Sequence, residues 1–192
     1  YSHVRSLGEA ISGSKVHTCG LANCDFNPVT LATFVDSVTW ETAVLVSVNV
    51  LKNPIGDDGL ATLAAAVQAS SLGSICGLVD EQTSVDWSEQ NLGPFDCKII
   101  AADFGFRRFS AVVNSLTLSG NLLTGATYRF GEWTNIDSNM SGFVALCAVL
   151  GKLTEVNLSD CHLGPTSTGE LAKVFSDADA VVKSLTLSAN PL

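Results

Sequence analysis

The sequence predicts an α/β solenoid in which short parallel strands line one face and helices the other. Three observations carry this: an apolar pattern that recurs at intervals of 29 to 40 residues, a switch of apolar period inside each interval, and a composition able to bury a core. The pattern is an apolar residue, two others, apolar-x-apolar, two others, Asn or Cys, one other, and a closing apolar residue. Val16, Cys19, Leu21, Cys24 and Phe26 make the first copy, and Leu45, Val48, Val50, Asn53 and Ile55 the second. Val85, Trp87, Gln90 and Leu92 make the third, which begins at the polar Gln82. The fourth is Val113, Leu116, Leu118, Asn121 and Leu123; the fifth is Leu153, Val156, Leu158, Cys161 and Leu163; the sixth is Val182, Leu185, Leu187, Asn190 and Leu192. Successive copies start 29, 37, 31, 40 and 29 residues apart, so the short intervals define the unit and the long ones carry insertions.

The apolar-x-apolar core of each copy reads as a short strand whose alternate side chains face inward, and the residues after it turn the chain away. Strands are expected near Leu21, Val50, Trp87, Leu118, Leu158 and Leu187. An Asn or Cys suits the turn because its side chain can bond backbone groups that the turn leaves unpaired. Between strands the apolar spacing becomes helical. Leu60, Leu63, Ala64 and Val67 follow Asp57 and Asp58, whose carboxylates favour a helix N-terminus. Leu171, Val174 and Phe175 follow Pro165 and a capping box, Ser167-x-x-Glu170. Residues 29–38, 94–104 and 142–150 read as further helices, and Val4, Leu7 and Ile11 as the tail of an earlier one. Over residues 72–82 the pattern weakens, and Leu72 and Ile75 suggest a strand that runs into a loop with no helix of its own. Because helical crossovers connect them, the strands must run parallel, in one sheet of at least six.

This arrangement resembles the leucine-rich repeat. Its short unit, its full helices and the segment Leu-Lys-Asn-Pro-Ile-Gly-Asp-Asp-Gly-Leu-Ala-Thr-Leu at 51–63 make it similar to the ribonuclease-inhibitor-like subfamily. The resemblance implies a horseshoe-shaped solenoid over residues 1–192, with about six to seven repeats, the parallel sheet on its concave side and the helices on its convex side. The subfamily includes arrays in immune receptors, Ran GTPase-activating proteins and cytoskeletal or ciliary assembly factors. Terminal repeats normally carry polar caps, and neither end shows one; the chain stops at Leu192, the last position of a repeat. It therefore reads as an internal piece of a longer array, or as one whose uncapped ends contact a partner.

Hydrophobic residues make up 46% and charged residues 15%, which supports a packed core and argues against disorder. Ten Lys and Arg face 19 Asp and Glu, a net charge of −9, so no basic field attracts nucleic acid or an anionic membrane surface. No apolar run approaches the ~20 residues of a membrane span. Six cysteines are too sparse for a disulfide scaffold in a chain of this length, so reduced thiols and a cytoplasmic, intracellular setting are expected, without a disulfide.

Candidate chemistry is sparse. His17, Cys19 and Cys24 contain metal-ligating types, but both cysteines fall on inward positions while His17 faces outward, so no site converges. In Asp160-Cys161-His162, neighbours along an extended segment point apart, so no nucleophile meets its base. Asp137-x-Asn139-x-Ser141-Gly142 matches half of a calcium loop, but Ala148 stands where the bidentate Glu is needed, leaving a turn that feeds a helix. Sequons occur at Asn139 and Asn157, the latter inside a strand. No phosphate-binding or dinucleotide motif is present, so no catalytic residue, metal or cofactor is assigned, and the chain is expected not to be an enzyme.

Partner binding is left to two surfaces. The outward strand positions are mostly Ser and Thr, from Thr18 and Ser47 to Ser184 and Thr186, with one mildly acidic patch of Asp86, Glu89, Glu155 and Asp160. An insertion over 124–141 contains Tyr128, Arg129, Phe130 and Trp133, types that dominate binding hot spots. Its aromatics either cover the neighbouring repeat or face a partner, and Trp133 is the leading anchor. The expected function is non-enzymatic recognition of a protein partner by a repeat scaffold. The alternatives are a structural subunit of a large assembly or, less favoured, a GTPase-regulating repeat protein, whose charged loop residues this sequence does not match.

Overall fold

A computed structural model describes residues 1–192. The chain divides into two compact units, residues 1–81 with 106–110, and residues 82–105 with 111–192. Both are mixed α/β, with three-residue parallel strands joined through helices.

The first unit contains α1 (Ser2–Ser12), β1 (Thr18–Gly20), α2 (Pro28–Ser37), β2 (Ser47–Asn49) and α3 (Gly56–Ala69). Strands β1 and β2 pair in parallel with Cys19 opposite Val48. Helix α2 begins because the Asn27 carboxamide accepts from the Thr30 N–H at 2.9 Å and Pro28 occupies the first helical position. Helix α3 buries Leu63 and Val67, the expected face. Beyond it, Leu72, Ile75 and Leu78 are buried but form no regular strand. Ser74 and Cys76 touch β2 only through isolated bridges, and the Ser74 hydroxyl accepts from the N–H groups of Cys76 and Leu78, curling the segment before it can extend.

The second unit holds β3 (Ser84–Asp86), α4 (Pro94–Phe106), β4 (Ser115–Thr117), β5 (Thr127–Arg129), β6 (Glu132–Thr134), α5 (Ser141–Leu150), β7 (Glu155–Asn157), α6 (Pro165–Ser176) and β8 (Ser184–Thr186). Strands β3, β4, β7 and β8 form a parallel sheet in which Val85, Leu116, Val156 and Leu185 align. Strands β5 and β6 form a separate antiparallel hairpin. Where α5 meets the start of α4, a Cβ on Gly142 would overlap the Pro94 carbonyl, so only glycine permits the approach.

Four expectations need correction. The parallel strands form two sheets, not one, because residues 72–78 curl. Each strand lies two residues earlier than expected, centred on Cys19, Val48, Val85, Leu116, Val156 or Leu185; the positions chosen from the sequence already begin the turn. Ser47, expected on the exposed face, is buried between β1 and the Ser74 bridge. Cys24 and Val16, expected inward, are exposed, and Cys19 is half-buried, because β1 is paired on one side only, by β2.

The turns explain the Asn positions. Asn121 Oδ1 accepts from the Gln90 and Leu92 N–H groups at 3.1 and 2.9 Å, while its amide donates to the Trp87 and Leu118 carbonyls at 2.8 Å each. Asn53 ties the Cys24 and Phe26 N–H groups to the Leu21 and Val50 carbonyls in the same way, and Asn190 ties Cys161 and Leu163 to Leu158 and Leu187. Each strapped turn has left-handed residues on both sides of its Cys or Gln: Asn23 and Asp25, Glu89 and Asn91, Asp160 and His162. That alternation aims two N–H groups at one oxygen, a backbone nest. Every second repeat therefore carries an Asn that straps the turn before it. Gln90, at the position expected to act like Asn, is exposed.

Candidate partner-binding hairpin

Residues 124–141 fold as an ordered loop with a closed base. Gly125 enters at φ +89, and the Asn139 N–H donates to the Thr124 carbonyl at 3.0 Å, bringing the ends of the insertion together. Above that base the Thr127 and Thr134 hydroxyls lie 3.2 Å apart, and the Asn135 amide donates to the Thr127 hydroxyl at 2.8 Å. In the hairpin Tyr128 faces Trp133 and Arg129 faces Glu132. Strand alternation puts Tyr128 and Trp133 on one face and Thr127, Arg129, Glu132 and Thr134 on the other. Phe130 and Gly131 make the turn, both left-handed at φ +53 and +86, as a tight two-residue hairpin connection requires.

Two contacts latch the hairpin to the elements that follow it. The Trp133 ring stacks on the His162 imidazole with centroids 3.5 Å apart, and Tyr128 leans on Trp133 at 5.2 Å. The Asp137 carboxylate accepts from the backbone N–H groups of Ser167 at 3.0 Å and Gly164 at 3.3 Å. Helix α6 begins after Gly164, which has no side chain with which to cap it, so Asp137 does so from 27 residues earlier. Burial raises the Asp137 pKa, but the hydrogen bonds from Ser167 and Gly164 outweigh it and hold the carboxyl below its usual range. The expected capping box is corrected: Ser167 is the third helical residue, not the cap, and Glu170 pairs with Lys173 at 2.7 Å. Asp137, half of the apparent calcium loop, is thus a helix cap.

The four aromatic and basic candidates separate by exposure. The Phe130 side chain is fully exposed at the tip, Tyr128 is 61% exposed, and Trp133 is 40% exposed because one face rests on His162. Arg129 is exposed on the polar face of the hairpin. Of the four acidic candidates, Asp86 ends β3 and Glu155 begins β7, with β4 between them, so two strand spacings of about 5 Å and an offset of two residues along the strands separate them. Glu89 stands in the turn after β3, beside Gly120. Asp160 stands nearest the hairpin's support, its carboxylate 3.7 Å from Nε2 of His162, on which Trp133 stacks. Glu89 and Asp160 form a row along the turns that follow the strands, with Glu155 at the opposite end of β7, and His162 joins one end of that row to Trp133.

His162 and Asp137 were not legible as contact residues, because each meets a partner about one repeat away. The only hint was that a His and a half-formed acidic motif stood where neither had chemistry to perform. Elsewhere, His17, Cys19 and Cys24 do not converge, and no group of three or more His, Cys, Asp or Glu is placed to hold a metal ion. Cys161 is buried with its thiol donating to the Leu118 carbonyl at 3.2 Å, so it does not address His162. Burial pushes the thiols of Cys97, Cys147 and Cys161 upward, Cys147 to about 12 and Cys161 to about 11. They stay protonated and poorly nucleophilic at neutral pH. No helix is long and apolar enough to cross a membrane.

No protein-family model matches the chain, and no curated protein matches it.

Proposed function

We propose that this chain is a leucine-rich-repeat solenoid that recognises a protein partner without catalysis, through the hairpin at 127–134. Support for the repeat reading is the combination of helix-linked parallel strands with Asn straps, which recurs at Asn53, Asn121 and Asn190. One observation carries the binding reading: Phe130 is wholly exposed in a left-handed backbone conformation. That conformation costs a residue with a Cβ about 1–2 kcal/mol relative to glycine, and Asn or Gly is the usual occupant. A large apolar ring at such a place weakens the fold and gains nothing inside the chain. Tyr128 beside it adds exposed aromatic surface on a support fixed by Trp133 and Asp137. Buried thiols with raised pKa suit a reducing, cytoplasmic setting, which we adopt with this reading. The experiment is affinity capture with the whole chain against its Phe130→Asn and Tyr128→Ala variants. A recognition hairpin retains a partner in the first case and loses it in both variants, with the melting temperature of Phe130→Asn at or above that of the wild type.

A further inference from the structure

The sheet of the second unit presents an unpartnered face whose charge is of one sign. Its outward residues on β3, β4, β7 and β8 are Ser84, Asp86, Ser115, Thr117, Glu155, Asn157, Ser184 and Thr186, and the turns that follow add Glu89 and Asp160. All four carboxylates are exposed, and no Lys or Arg lies on these strands or in residues 87–92, 118–123, 158–163 or 187–192. The row ends at Asp160, which His162 joins to the Trp133 and Tyr128 rings.

We propose that the occupant of this face is an extended basic segment of a protein partner, lying across the turns that follow the strands from Glu89 to Asp160, with a cationic side chain held between Asp160 and the exposed Tyr128 ring. This rests on the hairpin being a recognition element and adds the chemistry of what it recognises. The spacing selects the occupant. Glu89 and Asp160 hold equivalent turn positions, each five residues after the aligned Ser84 and Glu155, so two strand spacings, about 10 Å in all, separate them, whereas a divalent cation needs its oxygens within about 2.6 Å. An extended chain of the polyproline II type advances about 3.1 Å per residue with three residues per turn, so side chains three residues apart lie on one side and match that separation. Phosphate-bearing ligands are repelled by the sign of the field. Lys and Arg satisfy both partners at the hairpin end, since a cation is attracted by a carboxylate and by an aromatic face.

The probe is a fluorescein-labelled peptide of about nine residues made of Gly-Ser-Arg repeats, roughly 30 Å when extended, compared with the Gly-Ser-Glu peptide of the same length. Polarisation titrations with the whole chain should give saturable binding of the arginine peptide only. The affinity should fall about fivefold to tenfold in Glu89→Gln/Asp160→Asn, and again when salt is raised to about 0.5 M. Circular dichroism melts of the variant, unchanged because both residues are exposed, keep a folding defect from imitating that loss. Equal binding of the glutamate peptide, undiminished binding to the double variant, or no saturable binding of the arginine peptide overturns the proposal. If a captured partner still depends on Phe130 but is held equally by the double variant, the basic-segment proposal fails and the hairpin reading stands.

Discussion

The indole of Trp133 lies on the imidazole of His162 with ring centroids 3.5 Å apart and planes 25° apart, although the residues belong to different turns of the chain. The contact fixes the hairpin to the turn after β7 while leaving Tyr128 and Phe130 open to solvent. Removing the indole with Trp133→Ala should cost about 1–3 kcal/mol, the burial of part of an aromatic ring plus its stacking. For a chain of this length that lowers the melting temperature by several degrees. Hydrogen exchange should accelerate at residues 127–134 and little elsewhere. An unchanged melt would mean that the stack does not hold the hairpin.

Asn121 is fully buried and satisfies four backbone groups, whereas Asn190 makes the same bonds where water still reaches it. Asn121→Ala leaves two N–H and two carbonyl groups buried without that partner and should cost about 3 kcal/mol or more. Asn190→Ala should cost nearer 1 kcal/mol, since water replaces the lost side chain. Chemical denaturation reads both. Equal costs would show that burial does not set the worth of the strap.

The succession of short parallel strands and helices was legible because the two impose different apolar periods, and the helices lie close to where that switch placed them. The strand boundaries were not. Leu21 and its counterparts still take part in the ladder through their N–H groups, so the pattern continues past the regular pairing. The split of the sheet depended on Ser74 turning the chain on itself, a short-range hydrogen bond that apolar spacing does not encode. In the insertion, composition singled out Tyr128, Phe130 and Trp133, but it could not distinguish a ring packed on His162 from one facing water. Asp137 was misread for a related reason: acidic residues in a turn look alike until the N–H groups they accept from are known.

Asp137 gives the hairpin an acid limit. Its folded pKa lies below the ordinary value of 3.8, so its contribution is present above the unfolded pKa and is lost as pH falls through the folded one. The stability difference between the wild type and Asp137→Asn should therefore be constant near neutrality and shrink below about pH 4. At pH 7 loss of the cap by Asp137→Ala should cost about 1 kcal/mol. Guanidinium melts at a series of pH values measure both, and a difference that grows on acidification would contradict the cap.

The thiols should sort by burial. Cys24 is exposed and Cys19 half-buried, while Cys97, Cys147 and Cys161 are buried with raised pKa. Under native conditions a thiol-specific reagent should modify Cys24 first, with Cys97 reacting only after unfolding. Peptide mapping after short exposure tests this, and early modification of Cys97 would show that the second unit opens readily.

Phe130→Asn is the most direct measurement of the account. Asn is favoured in the left-handed turn that Phe130 occupies, so the substitution should preserve or raise stability, by up to about 1 kcal/mol, while removing the exposed ring. Retention of a protein partner and the thermal melt are then read on the same preparation. The account predicts a melting temperature at or above that of the wild type together with loss of the partner. A lower melting temperature, or a partner retained at full strength, would contradict it.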